Sequence, residues 1–84
     1  MYMKWDTFGK VISSNYRRTV LMCLESSNKT PKQIAKDSRI NFSHISNVLK
    51  QLKELELIKC LNPDARKGRI YTLTPAGRKM LKLL

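Results

Sequence analysis

The chain has 84 residues, 42% of them apolar, and carries 17 Lys and Arg against 6 Asp and Glu, a formal net charge of +11. That length suits one small domain with one core, and the apolar share suits a packed unit rather than a disordered one. No apolar run approaches the roughly 20 residues of a membrane span, and Trp5, Asp6 and Lys10 interrupt the start where a signal peptide needs an apolar stretch, so a cytoplasmic chain that enters no membrane is expected.

The charge is distributed. Positions 1–42 hold eight basic and three acidic residues, and positions 43–84 hold nine and three. A disordered basic tail would concentrate the excess at one end. A compact basic domain points instead to a polyanion: DNA, RNA or an anionic surface. The plainer alternative is a soluble cationic surface with no such partner.

In chain order, Trp5, Phe8 and Ile12 recur at helical spacing and predict a short helical arm over residues 1–13. Ser14 then caps a second helix with the apolar stripe Tyr16, Val20, Leu21 and Leu24, which "SSNK" at Ser26–Lys29 closes. "TPKQIAKDS" is a helix start, with Thr30 as cap, Pro31 at the first helical position and Gln33 completing a capping box. Ile34 and Ala35 face inward, and the helix lasts to about Arg39. Ile40-Asn41-Phe42 forms a short turn, and Ser43 is expected to cap the next helix, which runs to Leu55.

On a helical wheel, Ile45, Val48, Leu49, Leu52 and Leu55 of this helix share one arc. Ser43, Asn47, Lys50 and Glu54 lie opposite, flanked by His44 and Ser46. Ser, Asn and His are weak helix formers, so a helix made only for stability would carry other residues there. Small side chains that donate and accept hydrogen bonds suit a helix that enters a DNA groove. The plainer alternative is a solvated face with a Ser cap.

"LIKCL" and "RIYTL" are short, β-branched and aromatic, and they bracket "NPDARKG". They predict a hairpin over 57–73 with a flexible basic tip that carries Arg66, Lys67 and Arg69. Asn62, Pro63, Asp64 and Gly68 read as turn formers, with Asp64 pairing a nearby Arg. "TPAGRKMLKLL" repeats the Thr-cap, Pro-first pattern for a last helix over 74–84, with Ala76, Met80, Leu81, Leu83 and Leu84 on its apolar face. Trp5, Phe8, Phe42 and Tyr71 fit core positions.

Chemistry-bearing residues are few. Cys23 and Cys60 are distant in sequence and form no CxxC, and His44 is the single histidine, so no zinc spacing exists and both thiols read as buried core residues, with a disulfide or redox switch as the alternative. There is no nucleophile–His arrangement, no apolar carboxylate pair and no Gly-rich phosphate loop. No enzyme, cofactor or metal is expected.

The element order resembles a winged helix-turn-helix domain of prokaryotic transcriptional regulators, similar to the MarR and ArsR families. "SNYRRTVLMCL" resembles the family's first helix, "TPKQIAKDSRINFSHISNVLKQLKELELI" its helix-turn-helix over 30–55, and "RKGRIYTLTPAG" the return strand of the wing running into the last helix. Gly77 stands where that helix meets the sheet closely. Arg39 and Glu56 occupy two positions where such domains often have Gly. The resemblance implies one α+β, mainly α domain over 1–84 that binds double-stranded DNA as a regulator. The helix at 43–55, through Ser43, His44, Ser46, Asn47 and Lys50, would enter the major groove. Thr30, Lys32 and Gln33 at a helix start would hold a phosphate, and Arg66, Lys67 and Arg69 of the wing would meet the adjacent minor groove or backbone. Two apolar stripes, Trp5, Phe8 and Ile12 and Met80, Leu81 and Leu84, point to a homodimer, since many such regulators pair through terminal helices; the plainer alternative is that both stripes close the core of one chain. RNA binding and a protein-interaction winged helix within a larger assembly are the alternatives.

Overall fold

Ser14, Thr30, Asn41 and Thr74 each stand where a short polar side chain satisfies free amides of a helix's first turn. The computed structural model describes residues 5–84, with Trp5 and Asp6 by backbone only. The order is α1 (Trp5–Ile12), α2 (Asn15–Cys23), α3 (Pro31–Ser38), α4 (Phe42–Glu54), β1 (Ile58–Cys60), β2 (Tyr71–Leu73) and α5 (Pro75–Leu83). This is the winged helix-turn-helix expected from the sequence, mainly helical with a hairpin wing and a final helix.

The α2 cap is Ser14, whose Oγ accepts from the Arg17 amide at 3.3 Å. At α3 the capping box is complete: Thr30 Oγ1 accepts from the Gln33 amide at 3.3 Å, and Gln33 Oε1 accepts from the Thr30 amide at 2.9 Å. The start of α4 corrects the sequence reading. Asn41, not Ser43, is the cap, with its Oδ1 accepting the Ser43 amide at 3.0 Å and the Ser43 hydroxyl at 3.1 Å. The helix therefore begins at Phe42, and Ser43 lies inside its first turn.

The turn between α3 and α4 is tight because Arg39 adopts the left-handed conformation, φ 61° and ψ 19°. Glu56, between α4 and β1, also has φ 61°. Both bends thus keep the geometry that usually selects glycine, on residues that carry a Cβ.

Val20, Leu21, Ile34, Ile45, Leu52, Leu57, Ile58 and Met80 are fully or almost fully buried and form one core between the helices and the hairpin. A fully buried side chain of this kind contributes about 1.5–3 kcal/mol of hydrophobic stabilisation. Val11 also sits in the core, whereas Ile12 is 43% exposed, so α1 presents Phe8 and Val11 inward rather than the Phe8–Ile12 stripe. Phe42, assigned to the core, and Tyr16, placed on the apolar stripe of α2, lie outside it. Tyr16 is 44% exposed, because the first turn of α2 projects past the core, and Phe42 is 50% exposed at the first residue of α4.

The wing strands pair antiparallel with Ile58 opposite Leu73, Lys59 opposite Thr72 and Cys60 opposite Tyr71. The segment before α3 adds a third backbone contact that sequence reading missed: the Lys29 amide donates to the Tyr71 carbonyl at 3.2 Å, and the Tyr71 amide returns a bond to Lys29 at 2.9 Å. This bridge ties the start of α3 to the wing. On the other side of β2, Thr74 donates its hydroxyl to the Glu56 carbonyl at 2.7 Å while capping Gly77 at 3.1 Å. A Cβ on Gly77 would stand 2.1 Å from the Leu57 carbonyl oxygen, so α5 can approach the hairpin this closely only with glycine there.

Candidate nucleic-acid interface

The outer face of α4 is held outward by its neighbours. Arg17 on α2 donates from Nε to Gln51 Oε1 at 2.8 Å and from Nη1 to the Lys10 carbonyl at 2.7 Å, joining α1, α2 and α4. With Ile45, Val48, Leu49 and Leu52 buried against the other helices, rotation of α4 would cost that packing. Ser43, His44, Ser46, Asn47 and Lys50 are consequently all exposed on one side.

At the start of α3 the donors are largely in use. Pro31 has no amide hydrogen, and the Thr30 and Gln33 amides belong to the capping box. Gln33 thus serves the cap through its side chain. The Lys32 amide is the first-turn donor left, beside the exposed Lys32 side chain.

The wing corrects the picture of a loose basic tip. Asn62 Oδ1 accepts the Ile70 amide at 2.7 Å, and Asn62 Nδ2 donates to the Gly68 carbonyl at 3.2 Å. Arg69 Nε donates to the Ala65 carbonyl at 2.7 Å. The expected Asp64–Arg pair does not form among the described residues. Arg66, Lys67 and Arg69 remain exposed.

Two open grooves bring these sets together. One, of about 480 Å³, is lined by Thr30, Pro31, Lys32, Phe42, Arg66, Lys67, Gly68 and Arg69. The other, of about 290 Å³, is lined by Pro31, Ser46, Leu49, Lys50, Lys53, Arg69 and Tyr71. Pro31 and Arg69 belong to both, so the helix start, the wing and the Ser46 and Lys50 side of α4 make one continuous surface, while Ser43, His44 and Asn47 line neither groove. Its chemistry is cationic, with Thr30 and Ser46 as small hydrogen-bonding groups, which suits a polyanion that also offers polar edges.

Two aromatic residues on or beside this surface escaped the sequence reading. Phe42 lines the larger groove. Tyr16 packs its ring on that of His44, with centroids 5.5 Å apart and planes inclined at 45°. Phe42 falls at the margin of the apolar arc of α4, so the wheel alone does not decide its side; Tyr16 continues the α2 stripe and gives no sequence signal of exposure.

No protein-family model matches the chain, and no curated protein matches its sequence. Solved structures do match. BpsR of Bordetella bronchiseptica, whose DNA binding is regulated by 6-hydroxynicotinic acid, superposes with a TM-score of 0.78 at 24% identity over 93% of this chain and 64% of its own. A MarR family transcription regulator gives 0.77 at 22% identity over 92% of this chain and 52% of its own. ZitR of Lactococcus lactis, in complex with DNA, gives 0.72 at 26% identity over 80% of this chain and 47% of its own. The fold is that of the MarR-family regulators. The chain spans about half the length of the second and third of these proteins.

Within this MarR-like winged helix the terminal candidates separate. Met80 is 0% exposed and belongs to the core, which corrects its reading as a dimer contact: the close approach of α5 at Gly77 carries Met80, one turn further on, inside. Phe8 and Leu81 are half-buried against the core, whereas Ile12 and Leu84, the latter 42% exposed, lie at the surface with Leu83. The side chain of Trp5 lies outside the described residues. Cys23 and Cys60 are free and half-buried rather than buried. Burial pushes the Cys23 thiol up from its ordinary range; Lys29 nearby lowers it in part and Asp37 raises it. Among the described residues, no His, Cys, Asp and Glu cluster is suited to hold a metal ion, and no helix is long and apolar enough to cross a membrane.

Proposed function

We propose that the chain binds double-stranded DNA sequence-specifically and acts in transcriptional regulation. In this reading α4 enters the major groove with Ser43, His44, Ser46, Asn47 and Lys50 toward the base edges. Lys32 and Thr30 meet a phosphate, and Arg66, Lys67 and Arg69 meet the neighbouring minor groove or backbone. Gln33 contributes through the cap it completes. A homodimer would place two such surfaces on a palindromic site.

The observation that supports this reading most is the sharing of Arg69 and Pro31 between the two grooves, which joins the start of α3, the wing and Ser46 and Lys50 of α4 in one surface. The DNA complex of ZitR, a protein of the same fold, supports it further.

RNA is a second reading, favoured by one observation. Phe42 and Tyr16 are exposed on or beside this surface, and exposed aromatic rings suit unstacked bases. Titration of the chain with random duplex DNA and with single-stranded RNA over a salt series separates the two. Tighter, salt-sensitive binding to the duplex is expected. Tighter binding to RNA that is lost in Phe42→Ala rejects the DNA reading, and equal weakness toward both rejects a nucleic-acid role.

A further inference from the structure

We propose that Asn62 is the positioning residue of the wing, holding its cations in place for the duplex. The inference rests on the DNA reading above. Arg66, Lys67 and Arg69 lie in a loop whose ends are joined chiefly through one side chain. Asn62 Oδ1 takes the Ile70 amide eight residues away at 2.7 Å, and Nδ2 reaches the Gly68 carbonyl six residues away at 3.2 Å. The backbone completes the clasp, with the Ala65 amide on the Asn62 carbonyl at 3.0 Å and the Leu61 amide on the Ile70 carbonyl at 2.8 Å.

A turn former needs to bond only the next two or three residues. Asn62 instead spans the whole basic loop, its Oδ1 accepting from the Ile70 amide and its Nδ2 donating to the Gly68 carbonyl. Arg69 is set by the same arrangement. Its Nε bonds the Ala65 carbonyl at 2.7 Å, leaving the Nη donors for a ligand, and Ala65 is itself tied to Asn62. Gly68, with φ 68°, allows the chain to reverse just before Arg69. Ordering long cationic side chains and their loop at the moment of binding costs affinity, so a loop ordered beforehand binds more tightly with the same charges.

The test uses the full chain and a random-sequence duplex. Asn62→Ala is expected to bind roughly five- to tenfold more weakly, the effect of losing two hydrogen bonds that order the loop. Its log–log salt slope is expected to equal that of the unsubstituted chain, because every cation is retained. In the free protein, exchange of the Ile70 amide hydrogen accelerates in Asn62→Ala and stays slow in Asn62→Asp, which keeps the acceptor. Unchanged affinity with lost Ile70 protection overturns the proposal, since wing order would not matter for binding. Unchanged Ile70 exchange in Asn62→Ala, or its acceleration in Asn62→Asp, overturns the clasp. A flattened salt slope makes the effect one of charge and overturns it as well. Should Asn62→Ala not fold, the Asn62→Asp exchange decides the clasp by itself. Absence of duplex binding by the unsubstituted chain overturns the DNA reading and this inference together.

Discussion

Arg39 and Glu56 each hold φ at 61°, a conformation that costs a residue with a Cβ about 1–2 kcal/mol. Glycine removes that cost but adds about 0.5–1 kcal/mol of unfolded-chain entropy. Arg39→Gly and Glu56→Gly are therefore expected to stabilise the fold by about 0.5–1 kcal/mol each, a rise of roughly 2–8 °C in melting midpoint for a domain of this size. Gly77 runs the other way. Its φ is ordinary, but a Cβ would meet a backbone oxygen at 2.1 Å, which no side-chain rotation relieves. Gly77→Ala is expected to destabilise by about 3 kcal/mol through overpacking. Thermal melts of the three variants check both statements, and lowered midpoints in Arg39→Gly and Glu56→Gly reject the strained-turn account.

At the scale of elements, α4 and the wing carry different kinds of contact on one surface. Asn47 stands near the centre of the α4 face and offers an amide able to bond adenine at two points. Asn47→Ala is expected to cost about 1–3 kcal/mol on a preferred duplex and much less on random DNA. Arg66 and Lys67 lie on the wing and act through charge, so Arg66→Ala or Lys67→Ala weakens both duplexes alike and flattens the log–log salt slope by about one. Competition titrations on both duplexes at several salt concentrations measure the contrast. An equal loss for Asn47→Ala on the two would mean that α4 does not read sequence.

For the whole molecule, the exposed apolar residues of α1 and α5 bear on assembly. Ile12 on α1 and Leu83 and Leu84 at the end of α5 stay at the surface while Val11 and Met80 enter the core. A homodimer through these ends predicts sedimentation as a dimer at micromolar concentration. Ile12→Asp or Leu84→Asp should return it to a monomer with little change in melting midpoint. Met80→Ala should instead cost about 2–5 kcal/mol, as a core truncation does. Sedimentation as monomer alone, with and without DNA, rejects the dimer.

Local chemistry made much of this molecule legible before its structure. The Ser14, Thr30 and Thr74 caps, the Pro-first helix starts, the apolar arc of α4 and the hairpin all depend on residues close in sequence, and they appear in the structure. The close seat of Gly77 followed from family resemblance, whereas at Arg39 and Glu56 that resemblance marked only positions where glycine is frequent, and the structure decided that both bends are left-handed. What tertiary structure decided was the fate of residues at the margins of those patterns. Ile12 and Val11 are neighbours on α1, and only the position of α2 and α4 determines which is covered. Phe42 and Tyr16 sit in first turns where the core has ended, so their apolar character did not predict burial. The reach of Asn62 to Gly68 and Ile70, and the bridge from Lys29 to Tyr71, join residues 6 to 42 positions apart. Periodicity describes one element at a time, whereas these contacts exist only once separate elements are packed against one another.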